Sequence, residues 1–277
     1  ILDIADLTVD GSIGTGGAVC IMMMLSGHNV YVSMLAATLA GMAAGLVTGL
    51  FHTFMGIPAI LAGILTQFGL YSINLKIMGK ANQAIGADKY DLLVALRYVK
   101  NVPFYKNTIF VVTVVVIILI AILYWFFGTE MGCALRATGC NSNMSRAQGI
   151  NTNFSKVLGL MISNGLVGLS GALLCQYQGF ADINMGRGAI VIGLAAVIIG
   201  EAIFGKIFKN FGLKLLAAVL GSILYYFVVQ TVIWLGIDTD LLKLLSAVVV
   251  GIFLAVPYWK AKYFTKSSAK KGGKAHA

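Results

Sequence analysis

Charge is the scarcest property of this chain. Asp, Glu, Lys and Arg make up 11% of its 277 residues, against about 25% in soluble domains, which excludes a soluble globular enzyme. Disorder is excluded by the opposite imbalance, because hydrophobic residues reach 59% and mean hydropathy is +0.90. Four cysteines are too few for a disulfide-stapled secreted module. Cys20 and Cys175 lie in apolar segments, and Cys133 and Cys140 flank a basic loop without CxxC spacing, so all four read as reduced and structural. The three histidines, His28, His52 and His276, are far apart and lack an i+4 partner, so no metal site and no proton relay is expected. The chain begins at Ile1 with no charged leader before its first apolar run, and reads as truncated rather than signal-led. What remains is an integral membrane protein.

A spanning helix needs roughly 20 mostly apolar residues. Such runs lie near 30–50, 57–78, 108–127, 157–178, 189–205, 214–235 and 241–257, with a shorter Gly-rich run at 13–26. The expected fold class is all-α, a polytopic transmembrane bundle of seven to eight spans. One membrane domain covers 1–257 and a basic tail covers 258–277. The excess of 20 Lys and Arg over 10 acids falls in connectors and in this tail, which points to membrane topology rather than to nucleic acid. Six lysines between Lys260 and Lys274 place the tail in the cytoplasm. Counting back, Lys206, Lys209 and Lys214 fall inside, Gly179–Gly188 outside and 128–156 inside, while Asp238 and Asp240 mark an outer loop. Parity puts 80–107 outside although it carries five basic residues.

Two stripes of small residues predict close helix packing. Gly41, Gly45 and Gly49 repeat at i+4, and Gly165, Gly168 and Gly171 at i+3. Either face lets a neighbouring backbone approach, and either could instead slide during transport. No inverted repeat of the transporter kind is evident. Gly200 to Lys206 matches the first seven positions of a phosphate-binding loop, but Ile207 stands where Ser or Thr must hold magnesium and no strand precedes it. An ATP site on this chain is therefore rejected. Glu201 is the one acid expected within the membrane, either functional or paired with Lys206. Asp3, Asp6 and Asp10 at i, i+3, i+7 predict one helical face at the membrane surface.

Residues 128–156 are the most informative segment. Small and apolar residues surround Arg136 and Arg146, and Gly139-Cys140-Asn141 predicts a break between two short helices. A merely solvated connector would hold more Lys, Glu and Pro, so the segment reads as built to dock.

Taken in order, these strings resemble the membrane permease subunits of bacterial ABC importers related to the branched-chain amino acid and ribose permeases. ILDIADLTVDGSIGTGGA resembles the "DLSVGS" region after their first span. WFFGTEMGCALRATGCNSNMSRAQGIN resembles their cytoplasmic loop, and SNGLVGLSGALLCQYQGFADINMGRGAIVIGLAAVIIGEAIFG their next span, outer loop and Gly-rich span. The wording DLTVDGS, IMGKAN at Ile77–Asn82 and LRATG-x-N at Leu135–Asn141 is most similar to tryptophan/tyrosine-type uptake permeases.

The resemblance implies a type II ABC importer-like fold and an assembly in the bacterial plasma (inner) membrane, among its lipids. Its parts would be a second permease copy, two cytoplasmic ABC ATPase subunits and an extracytoplasmic substrate-binding protein. ATP and magnesium would sit on the ATPase and none on this chain. Ala134 to Gly149 matches the family's coupling helix, with Ala134, Arg136, Gly139, Asn141, Arg146 and Gly149 at motif positions. A further span normally precedes ILDIADLT and is missing here. Cys133 and Cys140 have no role in this scheme.

Polarity at membrane depth nominates Asn164, Gln176 and Gln230 for a translocation pathway, with interhelical hydrogen bonding as the alternative. The chain is thus expected to be a non-enzymatic permease for a small organic solute, with an amino acid among the candidates. A self-sufficient carrier or channel driven by an ion gradient is the rival. It would need intramembrane acids, which are almost absent. No catalytic grouping supports an intramembrane enzyme.

Overall fold

The computed structural model describes residues 1–2, 4–86, 90, 92–96, 107–205, 207–208, 210–235, 244, 247–248, 251 and 255. Two compact units divide the chain, Ile1–Gly188 and Ala189–Ala277.

The first unit is built around α1 (Val9–Leu25), which packs against α2 (Val30–Thr53), α3 (Ala59–Met78) and α7 (Thr152–Gln178). At 17 residues it rises about 26 Å, short of a ~30 Å hydrocarbon core. It begins at Val9, four residues before the predicted 13–26 run. Its glycines and small residues are buried on nearly every side, so it is a core helix with neighbours all round.

Five helices are long and apolar enough to cross a membrane: α2, α3, α4 (Thr108–Gly128), α7 and α9 (Phe211–Trp234). Each matches a predicted span to within a few residues. The apolar helices α1 and α8 (Ala189–Phe204) are shorter. The expected count of seven to eight is therefore not reached by length among the described residues, and the 241–257 span lies mostly outside them. The loop 236–240, Lys206, Lys209, His276 and the 258–277 tail also lie outside them.

Side chains and backbone set the helix boundaries. Asn107, Thr129 and Asn151 each accept a hydrogen bond from a first-turn amide of α4, α5 (Glu130–Cys140) and α7 respectively, satisfying donors that a helix start leaves open. Gly79 and Gly179 close α3 and α7 in the left-handed region, φ 69° and 79°, which costs a glycine little. The Val- and Ile-rich α4 has a most apolar window of mean hydropathy 3.1 with no residue of it buried by the rest of the chain. Such a stretch is helical in a bilayer because its backbone groups must be satisfied internally.

The two predicted glycine stripes face each other. A Cβ on Gly41 would meet the Asn164 carbonyl, one on Gly45 the Leu160 carbonyl, and one on Gly49 the Val157 Cα at 3.0 Å. The falling partner numbers make α2 and α7 antiparallel. From the other side, a Cβ on Gly168 would lie 2.7 Å from the Ala37 carbonyl oxygen, and one on Gly171 3.1 Å from the Ile13 Cα. A Cβ on Gly16 would stand 2.6 Å from the carbonyl carbon of Gly168. So α7 is held between α1 and α2 at backbone contact, the geometry that favours helix association in lipid.

A short antiparallel ladder, β1 (Asn82–Ala84) with β2 (Phe180–Asp182), pairs Gln83 with Ala181. It fastens the connector after α3 to the connector after α7, so both lie at one end of the unit, as span parity expects. The opposite end, about 40 Å away along the 27 residues of α7, carries α5 and α6 (Ser142–Ala147).

Cys133 and Cys140 are exposed at that end, whereas Cys20 and Cys175 are buried in the helix core, and all four are free thiols. A membrane-impermeant maleimide should therefore label the first pair in inside-out vesicles and spare the second. Labelling of Cys133 and Cys140 from the outside of intact cells would invert the arrangement.

In the second unit α8 crosses α9 through Gly200 and Gly221. A Cβ on Gly221 would come within 2.8 Å of the Gly200 Cα, and Tyr225 packs with Ala195 and Ile199 beside this crossing. Gly200 to Phe204 is helix, not a strand-to-helix loop.

Candidate functional site

Two places in the first unit gather polar chemistry. The first is the elbow of α5 and α6. Asn141 alone separates the two helices, in extended backbone at φ −157° and ψ 100°. The predicted three-residue break is corrected to one, because the Asn141 carboxamide oxygen accepts from the amides of Asn143 and Met144 and restarts the helix at once. Gly139 stays in α5, where a Cβ would meet the Ile1 carbonyl. Leu135 is buried, and its side chain reaches the α7 backbone, 2.8 Å from where a Cβ on Gly159 would be. Ala134 is half-buried, while Arg136, Asn141, Arg146 and Gly149 are exposed. Arg146 Nη2 donates to Thr152 Oγ1 at 3.1 Å, tying α6 to the first turn of α7. Met131 and Met144 present exposed thioethers on the same segment. The elbow is thus anchored by its apolar side and offers guanidinium groups and adaptable methionines outward.

The second place lies along α1. Asp6 precedes the helix, and its Oδ1 accepts from the Thr8 amide at 3.0 Å. Helical geometry starts only at Val9, so Asp6 and Asp10 do not share a helical face as predicted; Asp3 lies outside the described residues. Asp6 Oδ2 instead accepts from Asn164 Nδ2 at 2.6 Å, and Asn164 Oδ1 accepts from Ser12 Oγ at 2.6 Å. Asn164 is fully buried at the middle of α7. Beside it the hydroxyls of Thr8, Thr48 and Thr66 form a chain at 2.7 and 2.9 Å, joining α1, α2 and α3. Gln176 is also buried and accepts from the Leu93 amide at 3.2 Å. Gln230 is exposed on α9. Of the three amides named for a pathway, two therefore hold elements of the first unit together.

Three acids bear on the expectation for Glu201 as the one intramembrane acid. Asp6 and Asp10 are half-buried within the first unit, and both are anchored, Asp6 as above and Asp10 by the Gly188 amide on its Oδ2 at 3.0 Å. Glu201 is exposed on α8.

Beside Asp10 a cavity of about 230 Å³ opens between α1, α3 and the turn after β2. Asp10 and Gly11 line it from α1, Gln67, Phe68, Tyr71 and Asn74 from α3, and Ile183 and Arg187 from the turn. Asn74 is 1% exposed. Its Nδ2 reaches the Gly11 carbonyl only at 3.5 Å, and its Oδ1 has no hydrogen-bond partner. A buried acceptor left in that state costs about 1–3 kcal/mol. Reasoning from sequence misses this cavity. A signal for it exists all the same, since Asn74 is a lone amide in an apolar span, the same property that nominates Asn164. Among the described residues no group of His, Cys, Asp and Glu could hold a metal ion.

Comparison with known proteins bears on what these places serve. Residues 1–256 match the family model described as branched-chain amino acid transport system / permease component. The chain is 39% identical over 255 residues to a tyrosine transport system permease protein of Clostridioides difficile, covering 92% of this chain and 82% of that one. It is 25% identical over 250 residues to a fructose import permease protein of Bifidobacterium longum, covering 88% and 67%. Identity to an autoinducer 2 import system permease protein of Yersinia pseudotuberculosis is 26% over 199 residues, covering 69% and 54%. No solved structure matches.

Proposed function

Since the chain belongs to the branched-chain amino acid transport system permease family, we propose that it forms the membrane pathway of an importer for a small organic solute, an amino acid, driven by ATP hydrolysis on partner subunits. It is the permease component of an ABC-type transport system, a multi-pass protein of the bacterial plasma membrane and not an enzyme. Its partners and its solute are the proposed part.

The observation that carries the reading is the elbow of α5 and α6, exposed at one end of the first unit with Arg136 and Arg146 outward. Two short helices jointed at one residue and fixed to α7 can pass a push from a docked partner into the core. The fixing runs through the Arg146–Thr152 bond and the Leu135 side chain. Closure of a partner then becomes movement of helices, a shear of packed elements. The partner on this reading is a cytoplasmic ABC ATPase that holds ATP and magnesium. An external binding protein delivers the solute, and a second copy of the permease completes the pathway. An amino acid is favoured over a sugar because the tyrosine transport system permease shares 39% of its residues with this chain and the fructose import permease 25%.

The test is to solubilise the protein from its native membrane in mild detergent and identify what copurifies. One P-loop ATPase per permease is the expected result. A homo-oligomer that still carries out uptake after reconstitution without ATP would overturn the reading in favour of a gradient-driven carrier.

A further inference from the structure

We infer that residues 183–188 re-enter the membrane and that Arg187, at half its depth, faces the water-filled route by which solute crosses. The inference rests on the permease reading above and deepens it by placing the route along one wall of the first unit.

Depth is set by three spanning helices. Gly41 stands at the middle of the 24 residues of α2 and Asn164 at the middle of the 27 of α7. These midpoints touch, since a Cβ on Gly41 would meet the Asn164 carbonyl. Ser12 of α1 bonds to the Asn164 carboxamide. A Cβ on Gly11 would stand 3.2 Å from the Cα of Gln67, near the middle of the 20 residues of α3. The first turn of α1 therefore lies at the centre of the bilayer and not at its surface.

The chain after β2 descends to that level along α1. Ala181, still in the ladder, has its Cβ 3.6 Å from where a Cβ on Gly17 would be, and the Ile183 carbonyl oxygen lies 3.6 Å from a Cβ on Gly14. Gly186 is beside Asp10, where an added Cβ would stand 2.9 Å from the Asp10 carbonyl carbon. From Gly17 down to Asp10 the path along α1 is about 10 Å. At the bottom the Gly188 amide donates to the Asp10 carboxylate at 3.0 Å, and the Arg187 amide donates to the Asn184 carbonyl at 3.0 Å. The backbone that carries the Arg187 side chain is thus held in place on both sides.

Non-helical backbone at this depth persists only against protein or water. Ile183 and Gly186 are buried while Asn184 and Arg187 are exposed, so one side of the segment lies on α1 and the other is open. An open guanidinium at the bilayer centre is too costly to face hydrocarbon. Nor can it snorkel, because the nearer surface is about 15 Å away, beyond the reach of its three-carbon stem. It faces water. The half-buried amide of Gln67 and the exposed ring of Tyr71 line the same space from α3, which gives the route a second wall.

The test is cysteine labelling of the full chain, with Cys133 and Cys140 replaced by Ser, in intact cells and in inside-out vesicles. Single cysteines are compared under a small charged methanethiosulfonate that does not cross membranes and under a bulky polyethylene-glycol maleimide. Asn82→Cys, exposed in the ladder, should react with both reagents in intact cells. Ile118→Cys, in the middle of α4 and 51% exposed, should react with neither, because it stands at the same depth in lipid. Arg187→Cys should react with the small reagent, from one side or the other, at least about tenfold faster than Ile118→Cys, since the thiolate is the nucleophile and apolar surroundings suppress it. The maleimide should not reach it. Tyr71→Cys, on the facing wall, should behave likewise and serves where Arg187→Cys does not insert. Maleimide labelling of Arg187→Cys as fast as that of Asn82→Cys would make the segment a surface loop. Silence from both sides, equal to that of Ile118→Cys, would put Arg187 out of water; either result overturns the inference. The assay uses neither solute nor ATPase. Its failure leaves the importer reading intact, whereas a permease that copurifies without an ATPase fails that reading and leaves the labelled route standing.

Discussion

Glutamate at both Arg136 and Arg146 should reduce solute uptake to background while the permease itself still folds and inserts. Both side chains are exposed on the elbow of α5 and α6, so the change adds no buried charge. Each guanidinium replaced by a carboxylate removes one charge-assisted contact to a partner, about 1.5–3 kcal/mol, and adds repulsion against any acid it met. Two such losses weaken docking by at least about a hundredfold. Arg146 has a second duty in its bond to Thr152 Oγ1, so Arg146→Gln separates the two effects. If the internal bond matters most, Gln and Glu behave alike. If docking matters most, Glu is far worse. The measurement pairs uptake with the amount of ATPase retained on the purified permease. Uptake that survives the double replacement would remove α5 and α6 from the coupling path.

The α5 and α6 segment is legible in the sequence because its composition is wrong for a solvated loop. Gly139, Cys140 and Asn141 mark a break, and only its width differs in the fold, since a single capping asparagine is enough. The spans are legible for a simpler reason, as runs of about 20 apolar residues have few other fates. Asp6 misleads because three acids at i, i+3, i+7 imitate a helical face, whereas residues 4–8 are not helical and the Asp6 carboxylate reaches across to Asn164. The cavity is hidden by distance along the chain. Residue 10, residues 67–74 and residues 183–187 meet only once α1, α3 and the turn after β2 are assembled. No local pattern records that meeting. Nor can spacing disclose that the hydroxyls of Thr8, Thr48 and Thr66 touch, as each residue taken alone is an ordinary small polar group in an apolar helix.

The glycine stripes stand between these cases, visible as patterns but not as partners, and they carry the second large expected effect. Gly168→Ala should destabilise the protein by about 1–3 kcal/mol, the usual cost of overpacking a filled interface, and Gly168→Leu by more. The added Cβ would lie 2.7 Å from the Ala37 carbonyl oxygen and 3.2 Å from the Gly41 Cα, and backbone atoms cannot swing aside as the end of a side chain can. Gly41→Ala should be at least as severe. Its Cβ meets the Asn164 carbonyl, and displacing Asn164 strains the hydrogen bonds to Asp6 and Ser12 that its carboxamide makes. The contrast is Gly69→Ala in α3, where a Cβ finds nothing within 4 Å. There alanine should be neutral or stabilising by up to about 1 kcal/mol, because it restricts the unfolded chain and suits a helix better. Thermal unfolding in one detergent, with the three alanine variants side by side, reads the sign directly. Equal midpoints for Gly168→Ala and Gly69→Ala would mean that α7 is not clamped between α1 and α2 at backbone contact. A lower midpoint for Gly168→Ala and Gly41→Ala alone would mean that the stripes fix the core through which any push from the α5 and α6 elbow must travel.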